Sequence, residues 1–184
     1  MFSMSGPGLN KFINQYALIP WEIVRGLDLY TLFTSMFLHG GLGHIISNML
    51  FLNIFADNIE DKLGSIKFLI FYLICGLGAY ALQILVNPNT QIPNLGASGA
   101  IAGLMGSYLV FFPKNKIDVL FSTGYFSRRA TVPAYSMLFY WFIAQTFSGL
   151  GSLGYQDMGG VAFFAHIGGF VTGFVISKLY PDKK

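Results

Sequence analysis

Apolar residues along this chain fall into long, nearly continuous runs instead of alternating with polar ones. Five runs are separated by polar or Pro/Gly-containing breaks: about Leu42–Ala56, preceded by the apolar segment Leu29–Leu38; Ile66–Val86, ended by Asn87 and Pro88; Ala97–Phe112, ended by Pro113; about Val132–Phe147; and about Val161–Leu179. Runs of this length without a two-residue period predict helices, not strands. At ~1.5 Å per residue they are of the order needed to cross a hydrocarbon core of ~30 Å. The expected fold is all-α, a polytopic membrane helical bundle with five transmembrane helices. A single domain is expected over 1–184, with 1–29 a polar, interfacial N-terminal segment and 30–180 the membrane core.

Composition agrees with a lipid-facing surface. Hydrophobic residues make up 54% of the 184 positions, charged residues only 10%, and the mean hydropathy is +0.58. A soluble domain carries roughly 25% charged residues, because water must solvate its surface. The 19 Phe suit acyl chains and the 22 Gly let helices approach closely. Cys75, the one cysteine, lies inside an apolar run and reads as packing. A formal charge of +3 without a long Lys/Arg block gives no footprint for nucleic acid. No charged n-region followed by a short apolar run and a cleavage site opens the sequence, so no removable signal peptide is expected.

Charge then sets an expected orientation. Lys114, Lys116, Arg128 and Arg129 follow the third run, and Lys178, Lys183 and Lys184 end the chain, whereas the links 87–96 and 148–160 hold no Lys or Arg. The positive-inside rule makes the basic segments cytoplasmic and the uncharged links external. The 57–67 link, with Lys62 and Lys67, also falls inside, which puts the N-terminus outside. Asp57, Glu60, Asp61 and Lys62 read as a solvated inner loop joining helices. The third run reaches only ~24 Å as a helix, so its Ser98 end is expected to stop below the outer surface, where a loop dips in to meet it. Irregular backbone at that depth is tolerated only inside the protein or beside a water-filled cavity.

Four polar residues collect at this level: His44 and Asn48 on the first run, Ser98 on the third and His166 on the fifth. His39 lies beside the same layer. Gly96-Ala97-Ser98-Gly99 puts a serine at a helix N-terminus, where free N–H groups favour developing negative charge. Ser98, Ala102 and Gly106 form a small-residue stripe with Gly99 and Gly103 beside it, and Gly169 and Gly173 form another after His166. Packing these stripes together would join Ser98 to His166. His44 and Asn48, four residues apart, share one helix face and could donate jointly to an oxyanion. Each feature has a plainer reading. A membrane-helix serine commonly bonds backbone or a neighbouring helix, glycine stripes commonly serve packing, and His39 before Gly40-Gly41 reads as structural. Convergence at one depth favours chemistry, since ionisable groups there are costly.

These residues carry a resemblance. From about Thr31 to Leu179 the chain resembles the rhomboid intramembrane serine proteases, through His39-Gly40-Gly41-Leu42-Gly43-His44-Ile45-Ile46-Ser47-Asn48, Gly96-Ala97-Ser98-Gly99, and Ala165-His166-Ile167-Gly168-Gly169 with Gly173. Glu60-Asp61-Lys62-Leu63-Gly64 is similar to the family's cytoplasmic turn after its second helix. The resemblance implies a rhomboid-like bundle and a serine endopeptidase of prokaryotic type in the cell membrane, with its active site toward the outer face. It implies a Ser98–His166 dyad without a third acid, an oxyanion held by the Ser98 N–H with His44 and Asn48, and no cofactor or metal. Substrates would be single-pass transmembrane proteins, membrane lipid the surrounding partner, and the polar 148–160 link a mobile cap. Asp157 in that link is the one acid near enough along the chain to test as a third member.

Three departures accompany the likeness. A prokaryotic member commonly has six helices, and the first has no counterpart among the five runs. Tyr30-Thr31 stands where members often carry a Trp-Arg pair, and Ala102 stands where some carry an aromatic residue stacked on the catalytic histidine. Something else is therefore expected to pack against His166. The main alternative is a rhomboid-like pseudoprotease that binds and routes membrane proteins without cutting. A metalloprotein using His39, His44 and His166 lacks a carboxylate in the layer and usual ligand spacing, and a transporter would want paired repeats or midplane charges.

Overall fold

The computed structural model describes residues 6–122, 126–153 and 161–180 and is mostly helical. Three short helices come first: α1 (Gly6–Tyr16), α2 (Pro20–Ile23) and α3 (Thr31–Thr34), the last running into a 3-10 turn over Ser35–Phe37. Then come α4 (Leu42–Leu63), α5 (Ser65–Val86), α6 (Ser98–Phe111), α7 (Ala134–Ser152) and α8 (Phe163–Leu179), one in each apolar run. Between α6 and α7 lies an antiparallel hairpin of β1 (Lys116–Ser122) and β2 (Ser127–Pro133).

α6 is the central helix, with every residue from Gly99 to Tyr108 buried. Its sequence shows no polar face, as expected for a helix enclosed on all sides. α4, α5, α7 and α8 surround it, and the faces turned away from it are apolar: Leu42 and Ile46 on α4, Ile66 and Leu85 on α5, Tyr140 and Phe147 on α7 are all exposed. Contiguous apolar exposure of this kind suits lipid rather than water. Among the described residues α5 alone is both long and apolar enough to count as a membrane span by those two measures. The 14 residues of α6 extend only ~21 Å.

Glycine decides how closely α6 and α8 approach. A Cβ built at Gly169 would collide with the Gly99 carbonyl, and one at Gly173 with the Gly103 carbonyl. At Gly99 itself a Cβ would lie 2.6 Å from the Ala79 Cβ of α5. These helices touch through their backbones, as small-residue stripes permit.

Several boundaries differ from the sequence reading. Asp57, Glu60, Asp61 and Lys62 are not a loop but the last turns of α4. The buried Ile59 prolongs the apolar face there, and Glu and Lys are good helix formers on the open side. The connection to α5 shrinks to Gly64, whose φ of +81° suits glycine. α7 likewise runs on to Ser152, so Ser148–Ser152 is helix and not link. The basic link after α6 is largely the hairpin, for which Lys116-Ile117-Asp118-Val119 supplies a local alternation. Ile117, paired with Val132, is buried, while Asp118 accepts a 2.6 Å bond from the Thr131 hydroxyl on the exposed side.

The N-terminal segment braces the loop that leads to Ser98. Leu18 and Asn94 exchange backbone bonds of 2.9 and 2.7 Å, Trp21 N–H donates to the Thr90 carbonyl at 3.1 Å, and Gly96 N–H donates to the Ser35 carbonyl at 2.9 Å. Ser35 is itself buried, and its hydroxyl, which donates to the Thr31 carbonyl, is hydrogen-bonded to the Tyr80 hydroxyl of α5 at 2.8 Å.

Candidate active site

Ser98 opens α6 and His166 lies in the first turn of α8, and the backbone contact between these helices brings the two together. Ser98 Oγ and His166 Nε2 are 2.8 Å apart. The first i→i−4 bond of α6 runs from Ile101 N–H to the Ala97 carbonyl at 3.0 Å. The N–H groups of Ser98, Gly99 and Ala100 precede it, the usual unpaired donors of a helix start.

On the other side of the imidazole, His166 Nδ1 lies 2.7 Å from Gln145 Oε1 of α7. The Trp141 indole, one turn earlier on α7, covers the ring at 5.9 Å between centroids and 35° between planes. This is the packing partner that Ala102 does not provide, and it comes from a different helix. Gln83 of α5 adds a third restraint by accepting the Ala165 N–H at 3.2 Å. The sequence reading missed Gln83, Trp141 and Gln145. A signal was present: the two glutamines are polar side chains inside apolar runs, and Trp141 and Gln145 are four apart, hence on one helix face.

His44 and Asn48 come to the same place from α4. His44 Nδ1 accepts the Gly40 N–H at 3.2 Å, which leaves the ring proton of a neutral imidazole on Nε2. That Nε2 lies against Gly96: a Cβ there would be 2.7 Å from it, and the φ of +126° at Gly96 is a second reason for glycine. Asn48 is buried, and its Nδ2 has no partner among the described residues. His39 is buried edge-on against His44, with centroids 5.2 Å apart, and its Nε2 also lacks a partner among the described residues. Burial, with His44 beside it, holds the His39 imidazole below its ordinary titration range, so it is neutral at neutral pH.

Ser98, His166, His44 and Asn48 all line one cavity of about 530 Å³. Gln83, Asn87, Thr90 and Asn94 extend its polar wall, and no Asp, Glu, Lys or Arg lines it among the described residues. Asp157 and most of the expected cap, residues 154–160, lie outside the described residues. The site can thus present a hydroxyl to an imidazole base, with several N–H donors around it and no charged group among the described residues.

Comparison with known proteins identifies the family. The model of the Rhomboid domain matches residues 26–182. RHOMBOID-like protein 6, mitochondrial, of Arabidopsis thaliana is 32% identical over 172 residues, covering 93% of this chain and 50% of its own length. RHOMBOID-like protein 4 of the same plant is 33% identical over 156 residues, 84% of this chain and 35% of that protein. The candidate rhomboid protease YdcA of Bacillus subtilis (strain 168) is 29% identical over 181 residues, 92% of this chain and 80% of that protein. The chain spans half or less of the length of these two plant relatives. With a family match over most of its length and its motifs gathered around a single cavity, the chain belongs to the rhomboid family.

Proposed function

We propose that this chain is an intramembrane serine endopeptidase that cuts transmembrane segments of membrane proteins, with Ser98 as nucleophile and His166 as general base. The observation that carries the reading is the 2.8 Å contact between Ser98 Oγ and His166 Nε2 on the wall of a polar cavity. His166 takes the Ser98 proton as Oγ attacks the scissile carbonyl, then gives it to the leaving amine as the C–N bond breaks. Water, deprotonated by His166, attacks the resulting ester and frees Ser98. The Ser98 N–H, His44 Nε2–H and Asn48 Nδ2 are the donors assigned to the oxyanion, each worth on the order of 10²–10³ in kcat at such sites. His39, Gly96, Gly99, Gly169 and Gly173 position these groups.

In this reading α4 to α8 are the five membrane crossings, the basic hairpin faces the cytoplasm, and the cavity opens toward the outer face. The short α6 lets water reach Ser98 from that side. A rhomboid-like binding or routing factor that does not cut would have no use for a serine hydrogen-bonded to a histidine beside unpaired donors. The test is cleavage of a model single-pass substrate in liposomes by the wild type, Ser98→Ala and His166→Ala. Cleavage by the wild type alone is expected; equal cleavage by all three overturns the assignment.

A further inference from the structure

We infer that Gln145 is the positioning residue of the His166 base, supplying with a neutral amide the orientation that a carboxylate supplies in a three-membered catalytic site. This rests on the protease reading above. An amide oxygen can only accept a hydrogen bond, so the 2.7 Å contact of Gln145 Oε1 with His166 Nδ1 requires the imidazole proton on Nδ1. The Nε2 lone pair then faces Ser98 Oγ at 2.8 Å, the one tautomer that can accept the serine proton. Were the amide NH₂ turned inward instead, Nε2 would carry the proton and the base would be lost.

Three features of the fold support the assignment. Trp141 and Gln145 share a face of α7, one covering the imidazole and the other bonded to it. One turn further, Gly149 lets α7 approach the start of α8; a Cβ there would lie 3.3 Å from the Phe163 Cβ. Gln145 is also not among the described residues that line the cavity, and its contact with the site runs through His166. Among the described residues, the groups facing His166 are Ser98 of α6, Trp141 and Gln145 of α7, and across the cavity Gln83 of α5 and His44 of α4. None is a carboxylate. An amide can be buried at this depth at a fraction of the desolvation cost of an ionised acid, which gives the neutral residue a physical reason.

The test uses the full chain, first with ¹⁵N-labelled histidine in micelles. Wild type and Ser98→Ala are expected to carry the His166 proton on Nδ1, and Gln145→Leu to lose that preference. A wild-type Nε2–H tautomer overturns the inference whether or not the protein cleaves. In liposomes, Gln145→Leu is expected to lose about 10–100-fold in kcat with KM little changed, a smaller loss than the ~10⁴ of a triad whose acid is replaced. Gln145→Glu, nearly isosteric, should restore kcat and move the acidic limb of its pH profile upward, because a carboxylate favours the imidazolium. Full kcat in Gln145→Leu, or an unmoved limb in Gln145→Glu, overturns the inference. If Gln145→Leu does not fold, Gln145→Glu decides alone. Absence of Ser98-dependent cleavage in the wild type counts against the protease reading and leaves the tautomer measurement to decide the role of Gln145.

Discussion

Trp141 lies between His166 and Phe170 on α8, its ring 5.9 Å from the imidazole and 6.0 Å from the phenyl, tilted 35° and 28°. One side chain thus ties α7 to two successive turns of the helix that bears His166. An aromatic pair of this kind contributes about 0.5–1.5 kcal/mol, equivalent to roughly 2–10-fold in how often the ring holds its reactive position. Trp141→Ala should lower kcat by about that factor or somewhat more, since a cavity also opens. Trp141→Phe should keep most of the rate. Kinetics on a model substrate in liposomes check both, and a Trp141→Ala protein with unchanged kcat would remove the indole from the account.

Gly169 bears on stability as well as on the site. Its Cβ would collide with the Gly99 carbonyl, and neither helix backbone can yield as a flexible side chain does. Gly169→Ala is therefore expected to destabilise by about 1–3 kcal/mol, the usual range for overpacking, and to spread Ser98 from His166. At Gly43, on the open face of α4, nothing lies within 4 Å of a built Cβ, so Gly43→Ala serves as the control. Thermal melting in detergent should separate the two, and equal melting points would mean that α6 and α8 have more room than the structure shows.

Much of this site was legible in the sequence because short polar motifs stood out against apolar runs. Ser98, His166, His44 and Asn48 needed only helix periodicity and a common depth to be grouped. Gln145 and Trp141 did not stand out, since an amide and an indole in an apolar helix have many structural uses and only the three-dimensional packing shows which one applies. The end of α4 was misread for a related reason. Charges at Asp57, Glu60 and Asp61 suggest a loop when counted along the chain, yet they sit on the open side of a helix whose other side carries Phe55 and Ile59. The hairpin's alternation was visible locally, but its seven-residue strands are short beside the neighbouring spans.

His39 gives the protein an acid-side weakness. Its titration is depressed from the ordinary value of 6.5, first by burial and then by His44. The unfolded chain therefore binds a proton at His39 more readily than the folded one. Well above pH 6.5 both states are neutral there and His39 contributes no pH dependence; as pH falls through about 6.5, stability is lost until the folded-state value is passed. His39→Gln should flatten this part of the melting curve below about pH 6.5. An identical acid slope in the variant would assign the loss to other groups.

The two α4 donors offer the sharpest separation of binding from chemistry. Nothing among the described residues bonds Asn48 Nδ2, although it is buried. An unpaired buried donor costs free energy in the resting protein, and an oxyanion that forms only in the transition state would satisfy it. His44 is arranged alike, its Nδ1 engaged by Gly40 and its Nε2 left against Gly96. His44→Ala and Asn48→Ala should each lose on the order of 10²–10³ in kcat with KM nearly constant. Because both donors would serve one oxygen, the double variant should lose less than the product of the two. Gly96→Ala should resemble His44→Ala, since its Cβ would push on Nε2 and its φ of +126° disfavours any side chain. If the single variants raise KM and leave kcat intact, the two residues bind substrate in its ground state, and the oxyanion role falls to the Ser98 N–H and groups elsewhere.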